Sequence, residues 1–155
     1  MAYDTRYGPS PATSLEAATD GVLSRRLFAY LVDIVMIAGL TVLFGLLVGI
    51  AGIITFGAAW ILYAFLVPAT AILYSALTVG GPAQGTVGMR MFGVAAVDAS
   101  SGGRVGALLA GWHALLFYVG IGTFLLLVLD LVCGLVRSDR RLGHDLLAGM
   151  IVVRR

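Results

Sequence analysis

Arg26 and Asp33 place two full charges seven residues apart at the head of an apolar run, in the stretch RLFAYLVD. On a helix they lie on nearly the same face, about 10 Å apart along the axis, with the small Ala29 between them. An arginine at the end of an apolar helix can run its stem along hydrocarbon and keep its head in the interface. Asp33 is two turns inside and has no such escape. An ionised carboxylate in a membrane costs on the order of 3 kcal/mol, so Asp33 must face the protein interior and take a partner, or be protonated. Direct pairs on a helix surface favour spacings of three or four, so its partner lies elsewhere in the chain. A buried carboxylate of this kind can bind a cation or carry a proton. The alternative is a structural ion pair with Arg90 or Arg26 that fixes helix packing.

The remaining titratable residues have local readings. Asp145 follows His144 in a turn that leads into the helix-like LLAG, where a carboxylate accepts free N–H groups and caps the helix. Arg26 is then an interface anchor or the partner of Asp145 rather than a substrate clamp. Asp130 lies two turns from the end of its apolar run and reaches Arg137 only through an intermediary. His113 and His144 have no flanking ligand cluster, so neither a metal nor a haem is expected, and no cofactor. G85-T-V-G88 lacks the GxxxxGK[ST] of a phosphate loop, so its glycines serve turns and close packing. No Ser/His/Asp or Cys/His arrangement is placed for catalysis, and no enzyme is expected. Cys133, the single cysteine, reads as a small apolar residue.

Charged residues make up 12% of the 155, hydrophobic residues 60%. A soluble domain carries about 25% charged residues, so the composition excludes an ordinary soluble globule, and it equally excludes a disordered chain. The basic residues are ten arginines without a lysine. They are scattered, which makes a poor phosphate footprint, and nucleic acid is not an expected partner. The expected partners are the lipid bilayer and either further copies of the chain or a larger membrane complex.

The elements that position these residues follow from the apolar runs. Residues 1–22 read as a mobile tail and 23–155 as one membrane domain. The tail is no cleavable signal, because the apolar run comes late and is long. Leu27 to Ile54 is long enough to span. Gly45 and Gly49 within it form a GxxxG that offers a dimer face. Ala58 to Val79 is a second span in which Pro68 predicts a kink, with Trp60, Tyr63 and Tyr74 as interfacial aromatics. The connection from Val48 to Gly57 is uncharged. Met91 to Val97 reads as a short strand and Asp98 to Gly103 as a turn. Gly106 to Val136 would make one helix of ~46 Å, too long for a bilayer, yet it is too short for two spans. Gly120-Ile121-Gly122 predicts a break, giving a helical hairpin of two short legs. Met150 to Val153 is a second strand, free to pair with the first. An uncharged outer connection and a returning hairpin put all ten arginines, and both termini, on the cytoplasmic side.

Three pieces together resemble the RDD family of bacterial membrane proteins, named for one arginine and two aspartates. R26-L-F-A29-Y-L-V-D33 is similar to the family's R-x-x-A-x-x-x-D. G85-T-V-G88-M-R90-M-F-G93-V-A-A-V97-D98 is similar to its G-x-T-x-G-x-R-x-x-G-x-x-V-x-D segment. R141-L-G-H144-D145-L-L-A148-G149-M-I-V152-V153 is similar to its R-L-x-D-L-L-A-G-x-x-V-V ending. The resemblance covers residues 24–153. It makes Arg26 the family arginine, Asp33 the first aspartate and Asp145 the second. Many relatives carry an arginine near the start of the third apolar run, where this chain has A110-G-W-H113. The resemblance implies a bacterial inner-membrane location and solute transport, with cation/proton exchange attributed to some members.

The expected architecture is therefore an all-α membrane protein: two full transmembrane helices, a broken apolar helical hairpin and a short cytoplasmic strand pair. The expected function is small-cation or proton-coupled transport through Asp33, with Arg26, Arg90 and Asp145 tuning the charge. The alternative is a non-transporting accessory or assembly subunit.

Overall fold

The computed structural model describes residues 17–155. The tail assigned to residues 1–22 lies outside the described residues up to position 16. Of its remainder, Thr19 and Val22 are buried.

Helix α1 (Val22–Ile54) has 33 residues, about 50 Å of rise, which exceeds the ~30 Å hydrocarbon core. Its first turns therefore reach past the bilayer, and there Val22 packs with residues of both strands. The helix continues to Ile54, so the connection shrinks to Thr55, Phe56 and Gly57, with both Phe56 and Gly57 at positive φ. A 3-10 helix, Ala58–Phe65, follows and leads directly into α2, Leu66–Val79. Just before Pro68, where a kink is expected, the span changes from 3-10 to α-helix. Proline has no N–H and its ring crowds the carbonyl four residues back. Here Pro68 falls in the first turn of α2 and the preceding segment winds as a 3-10 helix instead. Together the two segments are long and apolar enough to cross a membrane, as is α1.

The GxxxG of α1 is filled by its own chain. The Tyr63 hydroxyl donates to the Gly45 carbonyl (2.8 Å), and a Cβ on Gly49 would stand 3.0 Å from that hydroxyl. The Trp60 ring occupies the space a Cβ at Gly52 would need. These aromatics thus lie against α1, and the two glycines serve helix packing within the chain.

Beyond α2 come α3 (Val87–Met91) and β1 (Val94–Asp98), then α4 (Ala107–Gly122) and α5 (Phe124–Val136), and finally α6 (Gly143–Leu147) and β2 (Met150–Arg154). The strand expected from Met91 starts at Val94, because the residues before it form α3. The third apolar run does break, at an extended Thr123, and its halves α4 and α5 are bent by 120°. β1 and β2 pair antiparallel, with Ala96 opposite Val152. In the turn after β1, the Asp98 carboxylate accepts from the hydroxyls and N–H groups of Ser100 and Ser101. The Ser100 hydroxyl foremost, then the Ser101 N–H, hold its carboxyl well below the usual range.

The two strands are built alike. Each follows a five-residue helix and is entered through a glycine at φ 64°, Gly93 or Gly149. Only glycine adopts that left-handed geometry without cost. Val94, Ala96, Met150 and Val152 pack with Val22, Val79, Val105 and Ala110 into one core at this end of the bundle. Gln84 stitches the core's edge. Its amide nitrogen is 3.0 Å from the carbonyls of Val79, Gly81 and Val105, and its amide oxygen accepts the Val105 N–H.

Candidate functional site

Two polar clusters meet the inner face of α1, and each is built on one of the short helix-strand units. The first surrounds Asp33. The Tyr74 hydroxyl donates to its Oδ1 (2.7 Å), the Thr86 hydroxyl to its Oδ2 (2.6 Å) and the Gly88 N–H to Oδ1 (2.9 Å). Tyr74 in turn accepts the Val87 N–H (3.0 Å). Thr86 is the N-cap of α3, its oxygen accepting from Met89 N–H. The sequence explains the approach. A Cβ on Gly88 would stand 2.0 Å from the Ala29 carbonyl oxygen, so only glycine lets α3 lie directly on α1. Asp33 is thus buried and held by three neutral donors. The alternative of a structural ion pair with Arg90 or Arg26 is not what forms. Arg90 points its Nε at the Thr86 carbonyl (3.3 Å), and Arg26 belongs to the other cluster.

The second cluster centres on Asp145, whose side chain has no exposed surface. Both its oxygens bind the Arg26 guanidinium: Nη1 donates to Oδ2, and Nη2 to Oδ1 at 3.0 Å. The Leu142 N–H also donates to Oδ2 (2.9 Å), which closes the first turn of α6 much as a capping box does. His113 Nε2 lies 2.7 Å from Oδ1. Asp145 has no proton to offer while paired with Arg26, so Nε2 of His113 is the donor. Burial alone would raise this carboxyl; the Arg26 charge and the His113 and Arg26 hydrogen bonds outweigh it and hold it well below the ordinary range.

His144 extends the network. Its backbone N–H and its ring Nδ1 both meet Asp130 Oδ1 at 2.8 Å. Nδ1 therefore carries a proton, and the Nε2 lone pair faces the Arg26 Nη2 donor (3.4 Å), with Asp145 Oδ1 3.5 Å away. Asp130 thus has His144 as its partner, where the sequence suggested an indirect link to Arg137. Arg137 pairs instead with Asp139. Ring centroids of His113 and His144 are 4.6 Å apart, and Phe117 packs on His144 at 5.1 Å. Small residues make room: a Cβ on Gly143 would stand 3.1 Å from Asp130, and one on Gly134 2.5 Å from Leu142.

Of the four residues singled out in the sequence, Arg26 and Asp145 are brought together, whereas Asp33 and Arg90 sit with the other unit. The sequence reading missed Tyr74, Thr86, His113, His144 and Asp130. Thr86 alone had a local signal, as a threonine between glycines before a short helix. The histidines converge across 31 positions, which no local spacing reveals. The RDD family model matches residues 21–149. The chain belongs to the RDD family. The RDD match takes in both polar clusters and β1, and ends just before β2. No curated protein and no solved structure matches the chain.

Proposed function

We propose that this RDD protein moves a small cation across a bacterial inner membrane, and that the cation's site is the Asp145 cluster. One observation carries the reading: a fully buried carboxylate shares its oxygens between a guanidinium and an imidazole, with a second imidazole-carboxylate pair directly behind. A purely structural ion pair needs one cation, whereas here two imidazoles join the guanidinium around one carboxylate. Here the resident cation is the head of a long side chain at the membrane border, 14% exposed. It can withdraw along its stem and leave a polar anionic site for a cation from solution. Asp33 serves as the fixed clamp that holds α1, α2 and α3 together. Among the described residues no arginine lies between Leu27 and Met89 or between Val105 and Val136, so both termini belong to the cytoplasmic side. A C-terminal reporter active only outside the cell would reverse that orientation.

Flux in proteoliposomes tests the function. The wild type is expected to exchange cations, His113→Gln to lose most of the exchange while keeping its fold, and Asp33→Asn to lose it only in proportion to lost folded protein. The accessory or assembly reading is favoured by one observation, the three neutral donors that lock Asp33. An absence of flux for every common cation, with a partner that co-purifies in fixed proportion, would put that reading in place of transport.

A further inference from the structure

The ligand chemistry of the Asp145 cluster is more specific than a negative charge. We infer that the cluster binds a divalent transition-metal ion of the zinc class through His113 Nε2, His144 Nε2 and a carboxylate oxygen of Asp145, in exchange for the Arg26 guanidinium. The inference rests on the transport reading only for the ion's fate, not for its binding.

Four observations support it. The first is the donor set. These three ligand atoms lie within 4.8 Å of one another. Imidazole nitrogens suit zinc, cobalt, nickel and copper, whereas sodium, potassium, magnesium and calcium prefer an all-oxygen shell. Three protein ligands leave a fourth position open, as in zinc sites that exchange a water or substrate.

The second is spacing. Ligands at ~2.1 Å around a tetrahedral ion stand ~3.4 Å from each other, and His144 Nε2 is already 3.5 Å from Asp145 Oδ1. The 2.7 Å contact between His113 Nε2 and Oδ1 is a hydrogen bond that opens when the His113 proton moves to Nδ1 and Nε2 becomes a ligand.

The third is orientation from behind. Metal-binding histidines commonly donate their other ring N–H to a carboxylate, which fixes the tautomer and strengthens the ligand. Asp130 does this for His144, with Nδ1 at 2.8 and 2.9 Å from its two oxygens. The arrangement aims the Nε2 lone pair into the cluster before any ion arrives.

The fourth is the cation now there. Arg26 Nη2 stands 3.0 Å from Asp145 Oδ1 and 3.4 Å from His144 Nε2, so the guanidinium contacts two of the three ligands. It occupies the ion's place. When it withdraws, two carboxylates face one gap, Asp145 directly and Asp130 through His144. A divalent ion balances both.

Cobalt(II) titration of the purified full-length protein in detergent tests this, because nitrogen- and oxygen-bound cobalt absorbs in the visible. The wild type is expected to bind one cobalt ion that zinc displaces. His113→Gln and His144→Gln should lose the absorption while keeping the wild-type circular dichroism. Arg26→Gln should bind more tightly, by about tenfold for a site that Arg26 leaves open a tenth of the time. If neither the wild type nor Arg26→Gln takes up cobalt or zinc, the inference is overturned. Binding that persists in both histidine variants overturns it as well, since the ion then sits elsewhere. Sodium or potassium flux without metal uptake would overturn this inference and leave the transport reading standing. Metal bound at this site without flux of any cation would do the reverse.

Discussion

The two short helix-strand units repeat one backbone plan and use it with opposite polarity. In the first, α3 leads through Gly93 into β1, and its N-terminal hydroxyl and N–H groups receive a carboxylate from α1, Asp33. In the second, α6 leads through Gly149 into β2, and its carboxylate, Asp145, receives a guanidinium from α1, Arg26. Both carboxylates are buried. They differ in what lies opposite. Asp33 faces groups that are neutral with or without it, two of them hydroxyls that can rotate. Asp145 faces a permanent positive charge and an imidazole. A buried charge that loses its partner is costly, whereas a hydroxyl that loses an acceptor finds another or accepts instead. The same plan thus yields one joint made of neutral donors around a carboxylate and another made of a buried charge pair.

Breaking each joint measures the difference. The largest effect is expected from Asp145→Ala, which strands the Arg26 charge and unties the Leu142 N–H. It should cost about 3–5 kcal/mol, read as a large fall in melting temperature in detergent. A smaller loss is expected from Asp33→Asn, about 1–3 kcal/mol, because an amide of the same shape can still accept one hydroxyl bond and its neighbours are uncharged. Equal losses in the two variants, or a larger one at Asp33, would dissolve the distinction between them.

The sequence made the elements legible where apolar runs are long. α1, the second span, the break near Gly120–Gly122 and the strand pair all follow from length, hydropathy and punctuating glycines. The 3-10 segment before Pro68 was not legible, since a proline in an apolar run signals disruption without saying whether the chain bends or restarts its helix. The site was legible in part. Arg26 and Asp33 stand out as charges among apolar residues, and Asp145 through its resemblance to a family motif. Their partners did not stand out. Tyr74 read as an interfacial aromatic, and Asp130 as an interfacial charge. A tyrosine or histidine in an apolar helix shows its role only once the fold turns it toward a carboxylate that is 32 or 41 positions away.

Arg26, Ala29 and Asp33 share one face of α1, and all three are engaged there: by Asp145, by the close backbone of Gly88 and by the Asp33 donors. One residue of helical rotation is about 100°, enough to turn all three away from their sockets at once. The segment therefore acts as a three-toothed key, which resists twisting about its own axis far more than tilting. Toward Ile54 the same helix is held again, with Tyr63 and Trp60 seated on Gly45, Gly49 and Gly52, so its rotation is set at both ends.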